Sequence, residues 1–187
     1  MDNIKTQIKN YRPFNEQEIT DKKMFLNWLD SGQDILTRDN KVAHLTVSAW
    51  VVSPDKRYVL MAYHNIYDSW SWLGGHVDGN SNLLDVALNE AKEESGITNV
   101  STLQKDIFSL EILCVDGHEK RGEYVPSHLH LNVTYLLEAD MEQPLVKKPD
   151  ENSGVEWIKT SEIAKKSSEP WFVDRIYSKL IEKVEQL

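Results

Sequence analysis

The chain has 187 residues, with 21 Lys and Arg against 30 Asp and Glu for a formal net charge of −9, and is 40% hydrophobic and 27% charged. This length suits one core of ordinary domain size, and the acidic balance disfavours bulk nucleic acid and anionic membranes as partners. The single cysteine, Cys114, excludes a disulfide within the chain and a cysteine-rich zinc site.

No stretch approaches the ~18 apolar residues of a membrane span, and MDNIKTQIKN at the start offers no apolar secretory core, so the expected location is cytoplasmic. Between about Asn15 and Asp30, Ile19, Phe25, Leu26 and Leu29 recur at loosely helical spacing and predict a helix. From Val42 to Val52 the pattern switches to period two, with His44, Thr46 and Ser48 on one face, and predicts a strand. Turn residues Ser53 to Lys56 then lead into a second strand from Arg57 to about Tyr63, forming a hairpin. HNIYDSWSW follows as an aromatic loop. Leu103 to Val115 and Leu129 to Leu137 are predicted strands, with GHEKRGEYVPS between them as a loop and Cys114 buried in the apolar run SLEILCV. A short strand over Gly154 to Ile158, a helix start at Thr160 to Ile163 and a C-terminal helix carrying Trp171, Ile176, Leu180 and Val184 complete the chain. This order predicts an α+β protein, a mixed sheet packed between helices.

The stretch richest in chemistry runs from Gly74 to Ile97. Leu84, Ala87, Leu88 and Ala91 form the apolar stripe of a helix that starts after the cap candidates AsnSerAsn and stops at Gly96. Glu90, Glu93 and Glu94 stand at i, i+3 and i+4 on that helix, so three like charges share neighbouring positions near its negative end. A divalent cation with hard oxygen ligands would offset that repulsion. Lysine is the other local remedy, and Lys92 supplies one.

The segment resembles the signature of the Nudix hydrolases: Gly, five residues, Glu, seven residues, ArgGlu, an apolar residue, any residue, GluGlu, any residue, Gly and an apolar residue. Gly75, Glu90, Ala91, Glu93, Glu94, Gly96 and Ile97 fall in register without insertion. Ser81 stands where the family has its first Glu, and Asn89 where it has Arg. The resemblance implies a Nudix-like mixed sheet sandwiched between helices as one domain over residues 1–187, with residues 1–40 an N-terminal helical extension and 41–187 the core including the C-terminal helix. It implies Mg²⁺, with Mn²⁺ as a substitute, held by Glu90, Glu93, Glu94 and the main chain at Gly74. Glu90, Glu93 and Glu94 are then the catalytic carboxylates of a pyrophosphatase acting on a nucleoside diphosphate linked to another group. Family members also recruit a base from a distant loop, for which Asp150, Glu151 and Glu156 are the candidates here.

His128 and His130 share one strand face. Two histidines at that spacing can ligate a transition metal, but they are read here with His44 as a polar cleft wall and zinc is not assigned. His76, beside the signature, is a loop residue within reach of substrate. Trp72 and its neighbours Tyr67 and Trp70 are placed to stack on a base or to cover the core edge. The alternative to an enzyme is a nucleotide or sugar-phosphate binding protein that has lost turnover through Ser81 and Asn89. An isomerase of isoprenoid diphosphates would want a cysteine at the cleft, which a buried Cys114 does not supply. The expected partner is a small-molecule diphosphate, and a homodimer through the aromatic-bearing terminal helices is one arrangement the pattern permits.

Overall fold

The computed structural model describes residues 2–120 and 122–187. Met1 and Arg121, which fall in the N-terminal decapeptide and in the polar stretch before His128, lie outside the described residues. Two helices lead the chain, α1 (Asp2–Asn10) and α2 (Glu16–Asp30). The sequence reading found only the second. Ile4 and Ile8, one helical turn apart, are both fully buried and hold α1 to the core. Asn15 caps α2, its side-chain oxygen accepting from the Glu18 amide.

Strands β1 (Ala43–Val52), β2 (Tyr58–His64), β3 (Ser69–Ser71) and β4 (Leu73–His76) follow, then helix α3 (Leu83–Ser95). The second half contains β5 (Ser101–Thr102), β6 (Ser109–Val115), β7 (His118–Lys120), β8 (Glu123–Val125), β9 (His128–Glu138) and β10 (Asn152–Lys159). Short helices α4 (Ile163–Lys166) and α5 (Pro170–Phe172) precede a π-helical turn at Val173–Tyr177 and α6 (Ser178–Glu185). β3 lies inside the predicted aromatic loop, and β7 and β8 form a hairpin inside the predicted polar loop. The predicted strand from Leu103 is instead an irregular segment until Ser109.

The sheet runs β10-β2-β1-β9-β5, with β4 also on β1, β3 on β2 and β6 on β9. Only the β1–β9 pair among these is parallel, so the sheet is mixed, as expected. Along β1 the odd positions Ala43, Leu45, Val47, Ala49 and Val51 enter one core with Leu83, Ala87 and Ala91 of α3. The even positions change character: His44, Thr46 and Ser48 are polar, whereas Trp50 and Val52 join a second core with Tyr177, Leu180 and Val184. That even face is polar at one end and dry at the other.

A buried ionic cluster ties the first helices to the last. Glu18 on α2 is fully buried, 3.1 Å from the Lys179 ammonium and 3.2 Å from that of Lys183, and it accepts from Tyr11 and Ser109 hydroxyls. Lys179 also reaches Glu111 on β6 at 3.0 Å. Those two lysines hold Glu18 below the usual carboxylate range despite its burial.

Cys114 corrects the sequence reading. It is exposed on β6: it shares a face with Leu110 and Ile112, but burial on that face falls away from Leu110 through Ile112 to Cys114, while Leu113 and Val115 on the other face are buried.

Candidate functional site

The carboxylate site forms where α3 crosses β4. β4 is held antiparallel to β1, with Gly75 opposite Val47 and Gly74 opposite Ser48. Gly74 lies so close to β1 that a Cβ there would stand 2.3 Å from the Val47 carbonyl oxygen. A Cβ on Gly75 would point at α3 and meet the Glu90 carboxyl at 2.5 to 2.9 Å. The glycine pair thus lets backbone and carboxylate come into contact. At the far end of α3, Gly96 takes the left-handed conformation that ends the helix. Asn82 occupies the N-cap position, but its side chain bonds Asp85 rather than the helix amides.

The three signature glutamates differ in environment. Glu94 extends the buried row Leu83, Ala87, Ala91 and is 5% exposed, one of its oxygens accepting from the Gly74 amide at 2.8 Å. Burial, and after it the Glu90 and Glu151 charges, push its carboxyl up to about 8 against the pull of that amide. Glu90 is half-buried, and burial followed by the Glu93 charge raises it to about 7, with Lys148 pulling the other way. Glu93 lies on the outer side, 3.5 Å from the Lys148 ammonium, which also pairs with Glu151 at 3.0 Å. Lys148 is the site residue that the sequence left in the background. Of the three base candidates, Glu151 is the one whose charge acts on both Glu90 and Glu94. Glu156 pairs with Lys166 at 2.9 Å, and Asp150 is exposed. Ser81 and Asn89 are exposed, and Glu90 takes its position from Gly75 instead of from a charged partner at residue 89.

On the other side of β4 the histidines gather. His44 pairs with His130 across the parallel β1–β9 ladder, and His76 pairs opposite Thr46, so all three share the polar face of β1. His76 therefore ends a strand and is no loop residue. The rings of His76, His128 and His130 stand 5.0, 4.8 and 5.1 Å from that of His44. The His44 Nδ1 donates to the Asn40 carbonyl at 3.0 Å, and the His128 Nδ1 to the Pro126 carbonyl at 2.8 Å. These bonds leave Nε2 of both rings as the lone-pair atom. Burial pushes His44 below the usual imidazole range and His130 down to about 2, so both are neutral at physiological pH. Next along the face, Asn132 accepts from Thr46 and Ser48 and donates to Glu111 and Thr134.

Trp72 sits apart from the histidines, edge-on to Phe172 and Tyr177. Trp70 packs edge-on to Tyr63 under Lys166, and Tyr67 lies against His64.

Comparison with known proteins agrees with the fold. The NUDIX domain family model matches residues 42–180. Similar folds include a Nudix-family hydrolase from Clostridium perfringens, 19% identical over 76% of this chain and 97% of that chain with a TM-score of 0.55. They also include an Ap4A hydrolase from C. elegans, 18% identical, TM-score 0.52, covering 76% of this chain and 95% of that one. A third is the dihydroneopterin triphosphate pyrophosphohydrolase of E. coli, 17% identical, TM-score 0.54, covering 74% and 95%. No curated protein matches the chain in sequence. Among the described residues, no helix is long and apolar enough to cross a membrane.

Proposed function

This chain belongs to the NUDIX domain family, and on that premise we propose that it hydrolyses the diphosphate bond of a nucleoside diphosphate linked to another moiety. The observation that carries this reading is the Glu90 and Glu94 pair, lodged against Gly75 and Gly74 with carboxyls raised to about 7 and about 8. Two buried acids at such a cost are what a cation site looks like before its cation is counted. The donors are hard oxygens, and the bare Gly75 surface leaves the Glu90 carboxyl uncovered by side chain, which fits Mg²⁺ or Mn²⁺. Glu90, Glu93, Glu94 and the Gly74 main chain would hold it. When bound, the ion supplies charge neutralisation for the diphosphate oxygens and a more acidic water.

The chain's own groups then divide the work. The Gly74 amide fixes one Glu94 oxygen and so orients the other. Glu90 serves either as a further ligand of the ion or as the base that takes the proton from the attacking water. Lys148 holds Glu93 and Glu151 beside the pair and limits their mutual repulsion. The histidine wall of His44, His76, His128 and His130, with Trp72 further out, offers the remainder of the substrate a polar surface. The names of two structural neighbours, hydrolases of Ap4A and of dihydroneopterin triphosphate, support a phosphoanhydride substrate. The exposure of Ser81 and Asn89 favours a second reading, a binding protein on the same fold whose Glu90 lacks the charged partner that aligns it for turnover.

The test is product release from a panel of nucleoside diphosphate and triphosphate derivatives, with and without Mg²⁺, for the native chain and a Glu93→Gln, Glu94→Gln double variant. Turnover that needs both metal and glutamates is expected and names the substrate class. Protein that binds Mg²⁺ and nucleotide by calorimetry yet turns over nothing on the panel replaces the hydrolase with the binding protein.

A further inference from the structure

We propose that His44, His76 and His130 form a second metal site, for a divalent transition ion of the zinc class, on the opposite face of β4 from the carboxylates. The three residues come from three strands, β1, β4 and β9, and their ligand atoms all lie within 4.8 Å of one another. Successive strand residues face opposite ways, so Gly75 faces Glu90 while His76 faces the histidines. The two sites are adjacent along one strand but do not share a donor.

Four features single out a metal over a merely polar wall. The His44 Nε2 is buried and has no hydrogen-bond partner, and the neighbouring Thr46, Ser48 and Asn132 satisfy one another and leave it aside. Its Nδ1 is anchored on the Asn40 carbonyl, the supporting contact that fixes the tautomer and ring plane of a ligating histidine. His128 is anchored in the same way on Pro126, and its Nε2 stands 3.1 Å from the His130 Nε2. That contact is a hydrogen bond, and with the His128 Nδ1 donating to Pro126 the His130 Nε2 is its donor, so His128 orients the His130 ring. Tetrahedral ligation at about 2.0–2.1 Å per nitrogen sets ligand atoms about 3.3 Å apart, so the separations of up to 4.8 Å among His44, His76 and His130 would close by ring rotation on binding. Last, the donor set is imidazole without carboxylate, which suits zinc, cobalt, nickel or copper and rejects Mg²⁺, the ion expected across the strand. The site stands whether or not the chain is a hydrolase, since it uses none of the signature glutamates.

The experiment is a Co²⁺ titration of the chelator-treated full chain, followed by visible absorption in millimolar Mg²⁺ so that oxygen sites are filled. The expected result is one equivalent of Co²⁺ with the intense absorption of tetrahedral nitrogen ligation, displaced by Zn²⁺. His130→Gln should weaken binding by at least about a hundredfold, the upper end of what losing even a supporting partner costs a metal site. The Glu93→Gln, Glu94→Gln variant should bind Co²⁺ unchanged. Weak octahedral absorption, a band that survives His130→Gln, or one lost in the glutamate variant overturns the site. His130 is packed among other rings, so His76→Gln at the more open end of β4 provides the same comparison if His130→Gln does not fold. Zinc-induced shifts of the histidine ring nitrogens in NMR spectra give a further check: they should be confined to His44, His76, His128 and His130, and shifts at His64 or His118 instead refute the assignment.

Discussion

Glu94→Gln should stabilise the metal-free protein while destroying its binding of Mg²⁺. In the fold the Glu94 carboxyl titrates at about 8 against an ordinary value of 4.5, so the folded state holds a proton that the unfolded chain releases. A raised acid pKa makes folding less favourable as pH rises through the window between those values. At pH 7 the gap from 4.5 is two and a half units at about 1.4 kcal/mol each, so the native carboxyl costs at most ~3 kcal/mol. Glutamine keeps an oxygen for the Gly74 amide and carries no charge, so the variant recovers most of that cost. The assay is urea unfolding of both proteins in chelator at several pH values. The advantage of the variant should be near zero below about pH 4.5, grow through neutrality and level off near pH 8. Saturating Mg²⁺ should then raise the stability of the native chain but not of the variant, reversing the order. A variant less stable than the native chain at pH 7 in chelator would refute the argument that Glu94 is held at a cost.

The glycine pair separates catalysis from folding. Gly75→Ala pushes only the flexible Glu90 carboxyl, and a shift of about 1 Å is expected to cost roughly a hundredfold in kcat/KM with little change in Tm. Gly74→Ala collides with the β1 backbone and should cost about 1–3 kcal/mol or more of stability. Calorimetric melts and kinetics on the two variants check both, and a native rate for folded Gly75→Ala contradicts the first. Glu18→Gln leaves Lys183 without its carboxylate, though Lys179 keeps Glu111, and should cost ~3 kcal/mol by denaturant titration at pH 7. Because the folded Glu18 is held below its unfolded value, its contribution is full above about 4.5 and fades as pH falls through the folded value. The stability gap between native and Glu18→Gln proteins should therefore narrow in acid, and a gap that widens there rejects the account.

Alternation in Val42–Val52 and the stripe on α3 were enough to predict both elements, because α3 buries one apolar face and β1 sets apolar odd positions against polar His44, Thr46 and Ser48. The signature register put Gly75 and Glu90 in one motif, but their contact across β4 and α3 depends on the packing of the two elements. The unequal burial of the glutamates was out of reach: i, i+3, i+4 spacing puts them on one side of a helix, whereas the burial of Glu94 depends on the depth to which β4 and α3 pack. Lys148 approaches from more than fifty positions downstream by a fold-dependent path, so no local pattern could announce it, and the same path is what singles Glu151 out from Asp150 and Glu156. His76 was misread because a four-residue strand containing two glycines carries no alternation. α1 left a trace in the Ile4 and Ile8 spacing, too sparse against its polar background. Cys114 was hidden by an apolar run in which both faces look alike.

The buried charge cluster also orders events in time. Gln17 and Lys179 are hydrogen-bonded across 162 positions and Tyr11 and Lys183 across 172, so segments synthesised early and late complete one another. Until α6 emerges, Glu18 lacks the ammonium groups of Lys179 and Lys183, and the two leading helices are held by the apolar contacts of Ile4, Ile8 and Phe25. Contacts so distant in sequence pay most of their closure entropy before any return. The chain should thus gain its final cooperativity in one late step, and a ribosome-stalled fragment ending before residue 179 should remain open to proteolysis around α2.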